Sequence, residues 1–440
     1  MMRLRTEAQE AKRNYNLLIW NGILVNVAFA FINPALVLSA FMYTLTASSF
    51  YVGLVTTIMG VGFTWPQLVI SNMVEHRERK MPFYLYPAIL RTTFWLAITL
   101  FMLFIGNQNP RMLLWVCLIL FGLYWSAGGV AMVPFMDITA KVVPVNQRAR
   151  LFSTRRLWGG SLAVLSGFFV RYILSEDSGL AFPANYGVLF GCATIFVTLG
   201  MGFFVMVREP IHPVAKTRNS LSDHVASGIR ILRDDPNYRR FLVARTCWVF
   251  GLMGIPFYWP YAVAQLGMHE SAVGLFLSVS VISGVLSNLL WMRIGTKSSR
   301  IILEWGIILV FVSPLLAALT SYIPNIPLGV LGSLKTVLYF FVYASSVAGL
   351  AGINLGDMTY LLEIAPSRVR PLYVGFMYTF SFPLTFIPAL AGAAIHYVSY
   401  QPIFLISAFF CIAAIFAIRG LDENHETEDL EEKRIGIIEH

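Results

Sequence analysis

Crossing a hydrocarbon core about 30 Å thick takes roughly 20 apolar residues at helical rise, and this chain offers such a run twelve times. The runs fall near 16–43, 51–74, 82–105, 112–136, 153–174, 184–206, 241–265, 271–294, 301–322, 329–356, 370–395 and 401–419. Short polar or Gly/Pro breaks separate them. Composition agrees: 57% of the 440 residues are apolar and 12% charged, against about a quarter charged in ordinary soluble domains. In lipid every backbone polar group must be satisfied within the segment, so runs of this length predict helices. The expected fold class is an all-α integral membrane protein with 12 transmembrane helices. The four cysteines, Cys117, Cys192, Cys247 and Cys411, lie inside apolar runs with no metal-ligand spacing, so neither a disulfide framework nor a metal site is expected.

The formal charge of +9 would suggest nucleic acid in a soluble protein, but its distribution points elsewhere. Of the 32 Lys and Arg, 27 fall in segments on the side that holds the N-terminus. Only Arg111 and Arg171 fall on the other side, with Arg91, Arg245 and Lys335 inside or at the edges of spans. Basic residues in short loops stay in the cytoplasm, so both termini are expected there, in the cell (inner or plasma) membrane. Arg3, Arg5, Lys12 and Arg13 ahead of an apolar stretch resemble a secretory signal. The apolar run continues to Met42, however, and reads as an uncleaved first helix. Residues 421–440 carry eight acids against Lys433 and Arg434. This composition predicts a disordered acidic tail, beneath a basic collar that meets anionic lipid and no nucleic acid.

The chain repeats at half its own length. Val52-Gly53-Leu54 opens the second run as Val273-Gly274-Leu275 opens the eighth, an offset of 221 that also places Arg79 over Arg300. Asp137-Ile138-Thr139 matches Asp357-Met358-Thr359 at 220, and Pro144 with Arg148 matches Pro366 with Arg370 at 222. The implied organisation is an N-terminal six-helix bundle (1–206), a cytoplasmic linker (207–240), a C-terminal six-helix bundle (241–420) and the acidic tail (421–440). Within the linker, Ser220-Leu221-Ser222-Asp223 has capping-box character. Leu221, Val225, Ile229 and Leu232 then recur at helical spacing before Asp234-Asp235-Pro236. That pattern predicts a short amphipathic helix on the cytoplasmic surface, with Arg230 and Arg233 near lipid headgroups.

With six plus six spans, a linker carrying a lateral helix, and a basic loop after the second span of each half, the chain resembles the major facilitator superfamily (MFS). That family's loop pattern, Gly-x-x-x-Asp-Arg-x-Gly-Arg-Arg/Lys, falls here on Ser71, Glu75, His76, Glu78, Arg79 and Lys80. Arg79 and Lys80 match outright and Glu75 is an acidic replacement. In the second half Thr296, Lys297 and Arg300 stand in the corresponding places. The resemblance implies a transporter working by alternating access, two bundles rocking about a central site lined chiefly by the first, fourth, seventh and tenth spans. It also implies no cofactor and a small-molecule substrate.

Polar and aromatic residues at membrane depth are costly unless they pair or line a cavity. On that ground the candidate substrate-binding residues are Asn26 and Asn33, Trp65 and Gln67 at a proline break, Tyr124 and Trp125, Tyr258 and Trp259, Tyr343, Asn354 and Tyr378. Together they describe an aromatic, amide-lined and nearly uncharged pathway for a neutral or amphiphilic solute. Arg91 is a buried charge near mid-depth of the third span, expected to pair structurally, with an anionic-substrate role as the alternative. Arg245 and Lys335 are expected to snorkel to the surfaces.

None of the 23 acids and none of the seven histidines falls mid-span, and the stretch from Trp158 to Gly167 lacks the proline of the family's antiporter pattern. Drug–proton efflux is therefore the alternative rather than the first reading. The expected gating set is Glu75, Arg79, Lys80, Asp137, Arg148, Arg300, Asp357 and Arg370, with Asp137 and Asp357 pairing to the arginines that follow them. A polytopic membrane transferase is the rival from another class. It needs a nucleophile, base or metal cluster that the sequence does not offer, so no enzyme activity is expected. The carrier is expected to act as a monomer in the bilayer.

Overall fold

The computed structural model describes residues 2–75, 77–210, 221–294, 298–328, 333–366 and 369–422. The acidic-tail reading beyond Asp422, and His76, Thr296, Lys297 and Arg368, lie outside the described residues. Sixteen α-helices account for nearly all of the rest. The first seven are α1 (Met2–Phe31), α2 (Ser39–Thr46), α3 (Ser49–Glu75), α4 (Met81–Phe104), α5 (Pro110–Val142), α6 (Val145–Ile173) and α7 (Ala184–Val205). A polar helix α8 (Leu221–Asp234) follows. The remainder are α9 (Pro236–Gly251), α10 (Tyr258–Leu266), α11 (Ala272–Ile294), α12 (Ser299–Thr320), α13 (Leu334–Ile364), α14 (Arg370–Ser381), α15 (Ile387–Val398) and α16 (Tyr400–Arg419). Among the described residues, ten helical stretches are long and apolar enough to cross a membrane.

Helix starts follow local chemistry. Asn109 accepts from Met112 N at 3.1 Å ahead of Pro110, and Asp235 accepts from Asn237 and Tyr238 N at 3.0 Å ahead of Pro236. In each case an Asx side chain takes an otherwise orphaned donor, and Pro occupies a position that needs none. Three of the apolar runs are interrupted. A π-helical turn (Pro34–Leu38) links α1 to α2, a 3₁₀ turn (Ile255–Phe257) precedes α10, and another (Phe382–Phe386) joins α14 to α15.

The break expected at Trp65-Pro66-Gln67 does not occur. Pro66 sits inside a continuous α3, and Gln67 Nε2 donates to Phe63 O at 2.9 Å, so the side chain resupplies a donor where the ring has thinned the ladder.

Two compact units emerge, Met1–Thr217 with Ala262–Ile282, and Arg218–Tyr261 with Ser283–His440. Small residues set the closest approaches, as packing between helices in lipid requires. In the second unit a Cβ on Gly349 would fall 2.5 Å from Gly306 O, so α12 and α13 meet backbone to backbone. The second unit also claims α8. Ile231 is buried there, and a Cβ on Gly228 would strike the Phe376 ring of α14 at 1.9 Å. The turn into α9 is tied to α14 as well, Tyr238 Oη donating to Tyr373 O at 2.8 Å and Tyr373 Oη to Asp235 Oδ2 at 2.9 Å. The inward stripe of α8 therefore runs through Gly228 and Ile231, while Ile229 is exposed.

Candidate functional site

Inside the first unit lies a cavity of about 420 Å³. Every long helix of that unit from α1 to α7 contributes to its wall. Phe29, Met59, Phe63, Trp125, Met132 and Phe135 make it apolar and aromatic, and Asn21, Thr64, Tyr84, Arg91 and Arg155 are its polar members.

Arg91 reaches the wall from α4, although the resemblance would make that span peripheral. Its Nη2 donates to Tyr124 Oη at 2.8 Å, and its guanidinium carbon lies 4.7 Å from the Tyr124 ring centroid. Tyr124 is held in place by rings at 5.1 Å (Trp95) and 5.3 Å (Trp125). Arg155 is the residue that sequence reasoning assigned to the cytoplasmic collar. α6 starts at Val145, eight residues ahead of the predicted span, so Arg155 sits roughly 15 Å along the helix at 1.5 Å per residue. It is only 8% exposed. Its Nη2 donates to Asn21 Oδ1 at 3.0 Å, and Asn21 Nδ2 donates to Gly200 O at 2.8 Å. Phe135 and Phe152 flank its guanidinium at 5.4 Å. A Cβ on Gly22 would fall 1.6 Å from Arg155 Nε, so the glycine opens the slot in which this side chain lies. Arg155 and Arg156 point about 100° apart on the helix, and the fold turns Arg155 into the unit. Arg156 is the exposed one. The expectation of a nearly uncharged pathway does not describe this cavity, which carries two cations.

The other candidates divide between the units. Trp125 joins the cavity wall. Asn26 donates within its own helix to Gly22 O at 2.7 Å, Asn33 accepts from Ala35 and Leu36 N at 3.1 Å, and Trp65 Nε1 donates to Ser126 Oγ at 3.2 Å. In the second unit Tyr258, Trp259 and Tyr343 are buried. Tyr258 and Ser313 share a hydrogen bond of 2.8 Å, and Tyr343 lies edge-on to both Tyr258 and Tyr339. Tyr378 and Asn354 are exposed.

The charged candidates meet partners other than those expected. Asp137 forms ion pairs with Lys80 and Lys141, each at 3.1 Å, while Arg148 spends its guanidinium on the Val143 and Ala140 carbonyls at 3.1 and 2.7 Å. The carbonyls at the end of α5 are orphaned acceptors within reach of Arg148, which leaves the aspartate to the lysines. Glu209, which sequence reasoning passed over, accepts from Lys141 Nζ at 2.9 Å and from the backbone N of Lys80 and Met81 at 2.9–3.0 Å. In the second unit Asp357 pairs with Arg245, and Arg245 Nε also donates to Ser381 Oγ at 2.8 Å. Arg245 is thus held by a carboxylate rather than snorkelling. Arg370 donates to Ala365 O at 3.4 Å, and Arg300 to the Arg419 and Leu421 carbonyls at 3.4 and 3.3 Å. Arg79 is exposed, and the Glu75 side chain lies outside the described residues.

Comparison with known proteins accords with this architecture. The chain resembles a mutant of the nucleoside transporter NupG, with a TM-score of 0.68 at 14% identity over 93% of this chain and 100% of that one. It is similar to a D-xylose-proton symporter at TM-score 0.67 and 13% identity, covering 94% and 98%. A bacterial homologue of the iron transporter ferroportin also gives 0.67 and 13%, covering 94% and 99%. No curated protein matches the sequence. The sequence profile of the Major Facilitator Superfamily matches residues 18–382 and 249–437. The chain belongs to the Major Facilitator Superfamily, whose members are membrane transporters and not enzymes.

Proposed function

We propose that the protein is a secondary carrier of a small organic solute, and that the cavity of the first unit is where the solute is held during alternating access. The observation that carries this reading is the cavity itself. At about 420 Å³ it falls in the range of small-molecule sites, apolar with a few placed polar groups, and it is walled by membrane-spanning helices. Twelve crossings follow if α3 and α6, 27 and 29 residues long, join the ten apolar stretches. Both termini then lie in the cytoplasm and the protein is a multi-pass monomer of the plasma membrane. Asp137 with Lys80 and Lys141, and Asp357 with Arg245, act as braces at the cytoplasmic ends of their own units, remade as the site changes face.

Reconstitution tests the reading. Solutes that raise the thermal stability of the purified protein should exchange in counterflow across proteoliposomes, with and without a pH gradient. Stabilising solutes that never cross would remove the carrier assignment.

A further inference from the structure

A guanidinium cannot shed its proton in a protein and is costly at membrane depth, so each cavity arginine needs an acceptor. Arg155 gives Nη2 to Asn21, while its Nη1 is buried and meets no acceptor. Arg91 gives Nη2 to Tyr124, and its buried Nε likewise meets none. No aspartate or glutamate lines the cavity, and among the described residues neither arginine enters an ion pair. The phenyl rings beside Arg155 attract its charge without neutralising it. Elsewhere in the same unit the balance is different, since Lys80 and Lys141 are met by Asp137 and Glu209. Two cations without a carboxylate therefore face a cavity whose remaining wall is largely apolar, with Phe29, Phe63, Trp125 and Phe135 among its residues.

We propose that the cavity binds an organic carboxylate with a flat apolar body, its oxyanion held by Arg91 and Arg155 and its body against Phe29, Phe63 and Trp125. Both arginines line the cavity without a carboxylate partner, and charge-assisted bonds to a carboxylate are the strong kind. That this ligand is cargo rests on the carrier reading above; that it binds does not.

The test uses the full chain purified in detergent, with thermal stabilisation as the readout. The probes are benzoate, 3-phenylpropionate and 2-naphthoate, the neutral carboxamide of each, and phosphatidylglycerol. At least one carboxylate should stabilise the protein while its carboxamide does not. Arg91→Gln and Arg155→Gln should weaken that apparent affinity about tenfold to hundredfold, the loss expected for a hydrogen bond to a charged group. Arg156→Gln should leave it unchanged. Gly22→Ala supplies a variant that keeps both arginines but pushes Arg155 out of its slot, and it should lose affinity as Arg155→Gln does.

The proposal is overturned if carboxamides stabilise as well as carboxylates, if no carboxylate stabilises, or if the glutamine variants bind normally. It is overturned equally if phosphatidylglycerol alone stabilises in an arginine-dependent way, which would make the cavity a lipid site. Counterflow separates this proposal from the carrier reading. Arginine-dependent binding without flux would sink the carrier and leave the anion site standing. Flux of carboxamides alone would do the reverse.

Discussion

Glu209 accepts two backbone N–H groups at the start of α4 and the Lys141 ammonium, with only 5% of its side chain exposed. Asp137 receives Lys80 and Lys141 with 34% exposed. The two acids serve the same lysines from different positions. Glu209 also meets the orphaned donors and positive dipole end of a helix, whereas Asp137 sits nearer solvent, where ion pairs are worth little. Removing the buried acid strands a helix terminus and leaves Lys141 with Asp137 alone. Glu209→Ala is expected to cost about 3 kcal/mol, the scale of breaking a buried pair, and Asp137→Ala about 1 kcal/mol. Thermal unfolding of the two variants side by side checks the ranking, and equal losses would remove the capping role given to Glu209. Nothing in the sequence marks Glu209 out. It follows the last residues of an apolar run, and its partners lie 128 and 129 residues away at Met81 and Lys80, so only tertiary structure reveals it. Arg91 was legible because a charge inside a long apolar run stands out. Arg155 was not, because at the end of a run a charge counts equally well as loop, and the hydropathy signal places helix ends poorly.

At the scale of elements, the interrupted first span shows how a proline break is made tolerable in lipid. Pro34 has no N–H to donate, and the segment after it widens into a π-helical turn. Asn33 accepts from Ala35 and Leu36 N at 3.1 Å, and Ser39 Oγ donates to Pro34 O at 2.8 Å. Freed backbone groups are thereby satisfied by neighbouring side chains, as an apolar environment demands. Asn33→Ala should lower stability by about 1 kcal/mol, the usual value of an N-cap, and Asn33→Ser, which still offers an oxygen, should recover most of it. Thermal unfolding of the pair decides, since identical behaviour of Ala and Ser would deny Asn33 its capping role. Apolar length was enough to locate the long helices. It could not distinguish a proline that breaks a helix, Pro34, from one that the helix absorbs, Pro66, because the outcome depends on which side chain stands nearby to supply the missing bond.

At the scale of the whole molecule, the repeat and the compact units do not coincide. The sequence divides the chain at the linker, but residues 262–282 pack with the first unit. Three contacts join this segment to α6 and α2. Gly167 and Gly274 bring α6 and α11 together, a Cβ on Gly274 falling 2.2 Å from Gly167 O, and Ser278 Oγ donates to Val164 O at 3.2 Å. Near the ends of these helices Thr44, in α2, hydrogen-bonds to Glu270. Offsets of 221 residues record ancestry and topology, while compactness records which surfaces touch in one conformation, so a sequence can show the first without the second. If transport proceeds by alternating access, contacts of this kind must part once per cycle. They are only as strong as a backbone approach and a few hydrogen bonds, consistent with reversible opening. Replacing Thr44 and Glu270 by cysteines and joining them with a short bis-methanethiosulfonate should therefore hold the contact closed and arrest counterflow, and reduction with dithiothreitol should restore it. The single-cysteine proteins, treated identically, should keep their flux. A fully linked protein that still exchanges solute at the unlinked rate would show that this contact need not open, and the alternating-access proposal would lose the step that the 262–282 segment supplies.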